Sequence, residues 1–178
     1  SPDQCEKFEK ILYVEQAVAI RIPTIDFQIV KNIEPLKEAV RTLDQYDVLV
    51  LTSQNSFLFF HRLLKEENIS KLPPKLKIAV VGEETKNLIE KNGFKVDLVP
   101  DQPKNSNQLA EFLHEKIQLD RKRILFPKSS LSNSKLPDML RKWGAWVNDI
   151  VLYETVTNSD AKSTVNSVMG YPIDWILF

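Results

Sequence analysis

The chain has few of the residues that build disulfide frameworks, metal centres and nucleotide-binding loops. Its only cysteine is Cys5, which excludes an internal disulfide. The two histidines, His61 and His114, lie far apart in the sequence, and this argues against a zinc site. Only 4 of the 178 residues are glycine, and neither GxGxxG nor the P-loop pattern occurs. We therefore expect a cofactor-poor protein with no zinc site and no bound dinucleotide or NTP.

An excess of charge of either sign is also missing. The sequence has 24 lysines and arginines and 24 aspartates and glutamates, so its formal net charge is zero. A balanced chain creates no overall field that attracts nucleic acid or a membrane surface. Its apolar runs are too short to cross a bilayer, and we find no pattern typical of a signal peptide. These features predict a cytoplasmic protein that binds neither nucleic acid nor membranes.

The most informative stretch, residues 46–64, predicts a strand, a polar turn and a helix in succession. Val48–Leu51 is an unbroken apolar run, which is typical of a strand buried on both faces. Polar residues occupy positions 52–56, and an amphipathic helix follows with Phe57, Phe60, Leu63 and Leu64 on one face. This order places helix N-termini and hydroxyl groups at the carboxyl edge of a parallel sheet, where open α/β sheets bind ligands.

The same unit recurs along the chain and predicts the fold class. Between Ile33 and Tyr153 strands and helices alternate, which is typical of an α/β protein with a largely parallel sheet and helices on both faces. The further strands are predicted at Ala17–Ile22, Thr24–Val30, Lys77–Val81, Lys95–Val99, Arg123–Phe126 and Val147–Tyr153. Helices are predicted at Pro2–Tyr13 and Ile33–Leu43, from Gly82–Thr85 to Lys91, from the Asn105 capping box to Ile117, and at Leu136–Lys142.

Small polar residues follow three of the predicted strands and form the candidate ligand-binding set. Helix N-termini bind anions through backbone N–H groups without needing an excess of lysine or arginine. The candidates are Thr52, Ser53, Asn55 and Ser56 after the first strand, Gly82, Glu84 and Thr85 after the second, and Lys128 and Ser129 after the third. Three of them have a plainer alternative: Ser53 and Thr85 are also ordinary helix starters, and Lys128 also fits a solvated loop lysine.

The last residues repeat the start of the central unit. Ile173–Phe178 has the same pattern as Tyr46–Leu51, an aspartate followed by four apolar residues. This pattern predicts a strand that begins a second α/β unit. We expect the opening helix and strand, Phe8–Ile22, to belong to that second unit.

Several segments together resemble uroporphyrinogen-III synthases in their order and spacing. They are YDVLVLTSQNS, IAVVGEETKNLIEKNGFKVDLVP, NSNQLAEFL, RILFPKSS, LPDMLRKWGAWVNDIVLYETV and DWILF. The resemblance implies a monomer of two flavodoxin-like parallel-sheet domains joined by a two-stranded linker. Residues 29–152 are then an inserted middle domain. Residues 1–28 and 153–178 give the linker strands and a terminal-derived domain, which we expect to be incomplete in this chain.

The resemblance also implies an activity in haem biosynthesis. Such an enzyme is a cofactor-free lyase that closes the linear tetrapyrrole hydroxymethylbilane into a ring, inverting the last pyrrole and losing water. Tyr153 matches the family's tyrosine and is our candidate catalytic acid. Thr85 matches the threonine of the VG-x-x-T motif and is implied to bind or orient the substrate.

Two other readings remain open from the residues. One is a non-catalytic α/β module that binds a ligand or regulates, with Tyr153 packed at the end of a strand. The other is a flavodoxin-like or receiver-like domain. The sequence lacks the clustered acidic residues that a phosphoacceptor needs and shows no flavin-phosphate loop.

Overall fold

Strands and helices alternate along most of the chain. The computed structural model describes residues 2–101 and 105–177, and within these ranges it contains seven α-helices, one 3₁₀ helix and five strands. In chain order they are α1 (Pro2–Val14), β1 (Ile25–Ile29), α2 (Glu34–Arg41), the 3₁₀ helix (Leu43–Gln45), β2 (Val48–Leu51), α3 (Gln54–Glu66), β3 (Lys77–Val80), α4 (Glu83–Lys91), α5 (Ser106–Lys116), β4 (Arg123–Ser129), α6 (Lys135–Lys142), β5 (Trp146–Thr157) and α7 (Ala161–Val168). Across the described ranges, no helix combines the length and apolarity needed to cross a membrane.

The five strands form one sheet in the order β1-β5-β4-β2-β3. The pairs β2–β3, β2–β4 and β4–β5 are all parallel. Strand β2 is fully buried because it has a neighbour on each side and apolar side chains on both faces. The predicted mixed α/β class with a largely parallel sheet is therefore confirmed.

Alternating residues of the strands face two separate apolar clusters. One cluster joins the strand residues Leu49, Leu51, Ile78, Val80, Leu125 and Leu152 to buried side chains of α2, α3 and α4. The other joins Val48, Val50, Ala79, Ile124 and Phe126 to buried side chains of α5 and α6. Because successive strand residues point to opposite faces, the unbroken apolar run of β2 supplies both clusters.

The chain divides into two compact units, residues 27–155 and residues 1–26 with 156–178. In the larger unit the Val30 N–H donates to the Leu152 carbonyl at 3.2 Å, and the Gln28 amide donates to Glu154 at 2.9 Å. In the smaller unit the Asn158 N–H donates to the Thr24 carbonyl at 3.0 Å.

Two predicted strands of the smaller unit are wrong. Ala17–Ile22 forms no strand, and among the described residues no segment pairs with it. Its apolar side chains are therefore left in solvent, and Val18 is 92% exposed. Residues 173–177 also lack strand structure, and Trp175 is 85% exposed, while Phe178 lies outside the described residues. An apolar run becomes a strand only where a neighbour takes up its backbone hydrogen bonds.

Three predictions in the larger unit also need correction. Lys95–Val99 contributes one parallel bridge, from Leu98 to Ala79, because the Asp97 carboxylate takes the Ile78 N–H at 3.1 Å. Strand β4 continues past Phe126 to Ser129, since its pairing with β5 extends to Ser129 and Tyr153. Lys128 and Ser129 thus lie in a strand and not in a turn. Strand β5 does not end at Tyr153 but continues to Thr157, through residues that the resemblance assigns to a linker strand.

Two glycines that end helices differ in the space around them, and this difference allows a matched test. Gly93 and Gly144 have φ angles of +84° and +87°, a conformation that costs other residues roughly 1–2 kcal/mol. A Cβ on Gly93 would meet nothing within 4 Å, whereas one on Gly144 would lie 2.8 Å from Asp120 Oδ1 and 3.2 Å from its Cα.

We expect Gly93→Ala to lower the free energy of unfolding by about 1 kcal/mol and Gly144→Ala by about 2–4 kcal/mol, because only the second adds a steric clash. Urea unfolding followed by circular dichroism measures both. Equal losses in the two variants would contradict the close contact between Gly144 and Asp120.

Candidate functional site

The parallel register brings the carboxyl ends of β2, β3 and β4 to one edge of the sheet, next to Tyr153 of β5. Leu51 of β2 pairs with Val80 of β3, so Thr52 and Gly82 follow neighbouring strand ends. On β4 and β5, Ser129 pairs with Tyr153 beyond a register shift at Lys128. The carboxyl edge, defined here as residues 52–56, 82–85, 129–130 and 153, therefore contains most of the residues that we proposed from the sequence.

Ser53 begins α3 and is held by a reciprocal capping box. Its Oγ accepts the Ser56 N–H at 3.0 Å, and the Ser56 Oγ accepts the Ser53 N–H at 3.2 Å. The Ser56 hydroxyl also donates to the Ser53 carbonyl at 2.7 Å, and Ser56 is 1% exposed. The Ser56 hydroxyl is thus buried and hydrogen-bonded within the protein, and it is poorly placed to contact a ligand. Thr52 and Asn55 beside it are half-buried.

Tyr153 lies against Ser53 although 100 residues separate them in the sequence. The two hydroxyl oxygens are 3.1 Å apart, a hydrogen-bond distance at which either group can donate. The Tyr153 ring stacks on Phe59 of α3 with 5.2 Å between centroids, and Phe27 meets it edge-on at 5.9 Å. With 6% of its surface exposed, the tyrosine is fixed by two aromatic contacts and one polar contact.

The helix N-termini at this edge differ in charge. The first turn of α3 has no acidic residue, and its capping box engages the Ser56 N–H. The N–H groups of Gln54 and Asn55, by contrast, have no carbonyl partner within the helix. The first turn of α4 carries Glu83 and Glu84, and Glu83 contacts Lys86 at 3.2 Å. The positive end of the α4 dipole is therefore already compensated, whereas that of α3 has no acidic residue beside it.

The candidate residues that follow β3 differ in their exposure to solvent. Gly82 is the N-cap residue of α4 and provides no side-chain cap. Thr85 faces inward with 8% exposure, whereas Glu84 is exposed. Ser129 uses its hydroxyl locally, accepting the Leu131 N–H at 3.2 Å.

Lys128 forms an ion pair that sequence reasoning missed. Its ammonium contacts the Asp149 carboxylate, which also accepts a hydrogen bond from Arg141 of α6. Burial opposes the ionisation of Asp149, but the hydrogen bonds from Lys128 and Arg141 outweigh it and hold the pKa of Asp149 below its ordinary value. The Lys128 charge is therefore balanced within the protein.

Two signals could have identified the missed residues. Asp149 interrupts an apolar strand pattern, and a charged residue there requires a partner. Phe59 does not share the helical spacing of the buried residues Phe57 and Phe60, so it lies on a different face of α3. Nothing in the sequence indicates that Phe27 contacts Tyr153. In the described part of the chain, no three potential ligands among His, Cys, Asp and Glu are grouped closely enough to hold a metal ion.

Comparison with known proteins gives consistent matches. Residues 6–178 match the protein family described as uroporphyrinogen-III synthase HemD. A uroporphyrinogen-III synthase of Synechococcus elongatus is 27% identical over 155 residues, covering 85% of this chain and 57% of that protein. A putative uroporphyrinogen-III synthase of Methanothermobacter thermautotrophicus is 24% identical over 166 residues, covering 90% and 63%. The chain thus spans roughly three fifths of the length of these relatives.

Solved structures give the same family name. A mutant uroporphyrinogen III synthase from Thermus thermophilus aligns with a TM-score of 0.62 at 14% identity, covering 88% of this chain and 60% of that one. The enzyme from Helicobacter pylori aligns with a TM-score of 0.53 at 18% identity, covering 82% and 59%. At such low identity these alignments show that the fold is shared.

The Asp149 ion pairs should stabilise the fold in a pH-dependent way. Because the folded-state pKa is lower than the unfolded-state value, this stabilisation is fully present above about pH 4 and is lost as the pH falls toward the folded-state pKa. We expect Asp149→Asn to lower the free energy of unfolding by about 1–3 kcal/mol at pH 7, and by less below about pH 4.

Asp138→Asn is the matched control, since Asp138 contacts Arg141 at 3.4 Å from an exposed position. We expect it to change stability by less than about 0.5 kcal/mol. Denaturant unfolding across a pH series measures both variants. A loss in Asp149→Asn that does not change with pH would contradict the assigned role of the carboxylate.

Proposed function

The chain belongs to the uroporphyrinogen-III synthase family, and from this membership we propose that it closes hydroxymethylbilane into uroporphyrinogen III. The reaction inverts the last pyrrole ring and releases water, which makes the enzyme a cyclising hydro-lyase. The observation that best supports this proposal is the Ser53–Tyr153 hydroxyl pair at the carboxyl edge of the parallel sheet. We also propose that residues 29–152 are the inserted domain and that residues 1–28 and 153–178 supply the linker strands and part of the second domain.

The proposed chemistry requires one proton donor and firm control of substrate conformation. Tyr153 gives its phenolic proton to the terminal hydroxyl group of the substrate. The C–O bond then breaks, assisted by the lone pair of the pyrrole nitrogen. Water departs, and an azafulvene-type cation remains. An electron-rich pyrrole carbon attacks this centre to form a spiro intermediate, whose rearrangement inverts the ring. The phenolate later recovers a proton that the product releases.

Holding the substrate in a folded conformation is the larger task. Hydroxymethylbilane cyclises without inversion on its own, so the enzyme must favour the geometry that leads to the spiro intermediate. The substrate carries eight carboxylates, whereas the net charge of this chain is zero. We propose that backbone N–H groups at the start of α3 bind a substrate carboxylate, together with the side chains of Thr52 and Asn55. Lys128 is less suited to this role because Asp149 already holds its ammonium group.

The alternative function is that of a non-catalytic module, which has the same fold and binds a ligand. One specific observation supports it. Tyr153 is only 6% exposed and lies between Phe27 and Phe59, which is also what a purely structural tyrosine requires. The two readings differ in the isomer that forms when hydroxymethylbilane is added.

The direct test is to incubate the full-length protein with hydroxymethylbilane, oxidise the products to porphyrins and resolve the I and III isomers. We expect isomer III to predominate, because uncatalysed closure gives isomer I. Predominance of isomer I with protein whose folded state has been verified by circular dichroism would refute the synthase assignment and leave the ligand-binding module.

Tyr153→Phe separates the catalytic role of the tyrosine from a packing role. It keeps both aromatic contacts and removes the hydroxyl group, so we expect kcat to fall about 10²–10⁴-fold. The free energy of unfolding should change by no more than about 1 kcal/mol. Steady-state kinetics and urea unfolding measure the two quantities.

Tyr46→Phe is a matched control for this change. Tyr46 is 5% exposed, and its hydroxyl accepts a single hydrogen bond from Asn148 at 2.8 Å, near the other end of the strands. We expect it to leave kcat unchanged. Full activity of Tyr153→Phe, or loss of its folded structure, would show that the tyrosine acts through packing.

A further inference from the structure

We infer that Ser53 is a positioning residue that acts on the substrate through Tyr153 and does not bind the substrate itself. The inference rests on the proposed role of Tyr153 as the proton donor. It changes the role that the sequence suggested for Ser53, which was direct contact with the ligand.

The bonding of the capping box determines what the Ser53 hydroxyl can do. A serine hydroxyl has one proton and two acceptor sites. The Ser56 N–H can only donate, so at 3.0 Å it occupies one acceptor site of the Ser53 Oγ. The Ser56 hydroxyl donates its own proton to the Ser53 carbonyl. The proton and one acceptor site of Ser53 remain, and the hydroxyl of Tyr153, at 3.1 Å, engages one of the two.

Proton transfer fixes the direction of this hydrogen bond. Once Tyr153 has given its proton away, its oxygen can only accept. The Ser53 hydroxyl must then donate to it, which creates a chain from the Ser56 N–H through Ser53 to the phenolate oxygen. Each bond in such a chain polarises the next. The chain begins at the positive end of the α3 dipole, which favours negative charge on that oxygen.

The same helix also fixes the plane of the tyrosine ring. Phe59 of α3 stacks on Tyr153 with an interplanar angle of 21°, while Phe27 contacts the ring edge-on at 76°. Helix α3 therefore provides the hydrogen bond at the tyrosine oxygen and an aromatic contact at the ring. A Ser53 side chain engaged in this way is held against Tyr153 and is not free to follow a flexible substrate carboxylate.

Ser53→Ala tests the inference through kinetics. Loss of a hydrogen bond to a developing charge should lower kcat about 10- to 100-fold, with KM changed less than about 3-fold. Ser53→Thr keeps the hydroxyl group and should restore most of kcat. A rise in KM with kcat unchanged would assign Ser53 to substrate binding and overturn the inference.

Asn105→Ala is the matched control for the loss of a helix cap. Asn105 forms the capping box of α5 with Gln108, and its side chain accepts the Asn107 and Gln108 N–H groups. Both alanine variants should lose similar stability in urea unfolding, but only Ser53→Ala should lose kcat. An equal loss of kcat in Asn105→Ala would show that cap removal, and not the contact with Tyr153, causes the effect.

A double-mutant cycle tests whether Ser53 acts through the tyrosine. In a Tyr153→Phe background there is no phenolic oxygen to orient, so adding Ser53→Ala should lower kcat less than about 2-fold. A further loss as large as in the wild-type background would overturn the inference.

A measurement without substrate separates this inference from the proposed function. The four tyrosines are labelled with ¹³C at Cζ, and Tyr153→Phe identifies the Tyr153 signal. We expect Ser53→Ala to shift this signal and leave those of Tyr13, Tyr46 and Tyr171 in place, while Asn105→Ala shifts none. An unchanged Tyr153 signal in Ser53→Ala refutes the hydrogen bond. A shifted signal in a protein that makes no isomer III refutes the proposed function alone.

Discussion

The parallel pairing of β2, β3, β4 and β5 is the constraint on which the candidate site depends. Parallel strands end at the same edge, so residues from 52 to 153 meet there whatever their separation along the chain. The pairing also places apolar side chains on both faces of the sheet and so requires helices on each side. The two apolar clusters and the carboxyl edge therefore both follow from the parallel pairing of these strands.

The proposed function requires a chain without net charge to bind an anionic substrate. Charges at and beside the carboxyl edge are balanced locally, because Asp149 neutralises Lys128 next to the edge and two glutamates compensate the start of α4. The start of α3 has no acidic residue, and it also carries Ser53, which contacts Tyr153. In the proposed mechanism, the electrostatics of the reaction therefore come mainly from backbone dipoles and hydroxyl groups held in place by packing.

The regular elements of the larger unit could be predicted because local patterns determine them. The apolar run at Val48–Leu51 and the capping box at Asn105 lead directly to β2 and α5. Predictions failed where a distant partner decides the outcome. The carboxylate of Asp97 displaces a ladder hydrogen bond, and Ala17–Ile22 has no neighbouring strand in the described structure. The sequence places Ser53 at the edge of the sheet, but the contacts of Ser53, Phe59 and Phe27 with Tyr153 depend on side-chain packing, which local patterns do not determine.

In the proposed mechanism, the carboxyl edge near the start of α3 binds the substrate. An NMR titration of ¹⁵N-labelled protein with a linear bilane that lacks the terminal hydroxyl group, and so cannot cyclise, tests this binding site. We predict the largest shifts for the amides of Gln54, Asn55 and Tyr153. Shifts that cluster instead at the opposite ends of the strands, around Asp47, Lys77 and Arg123, would refute substrate binding at the carboxyl edge.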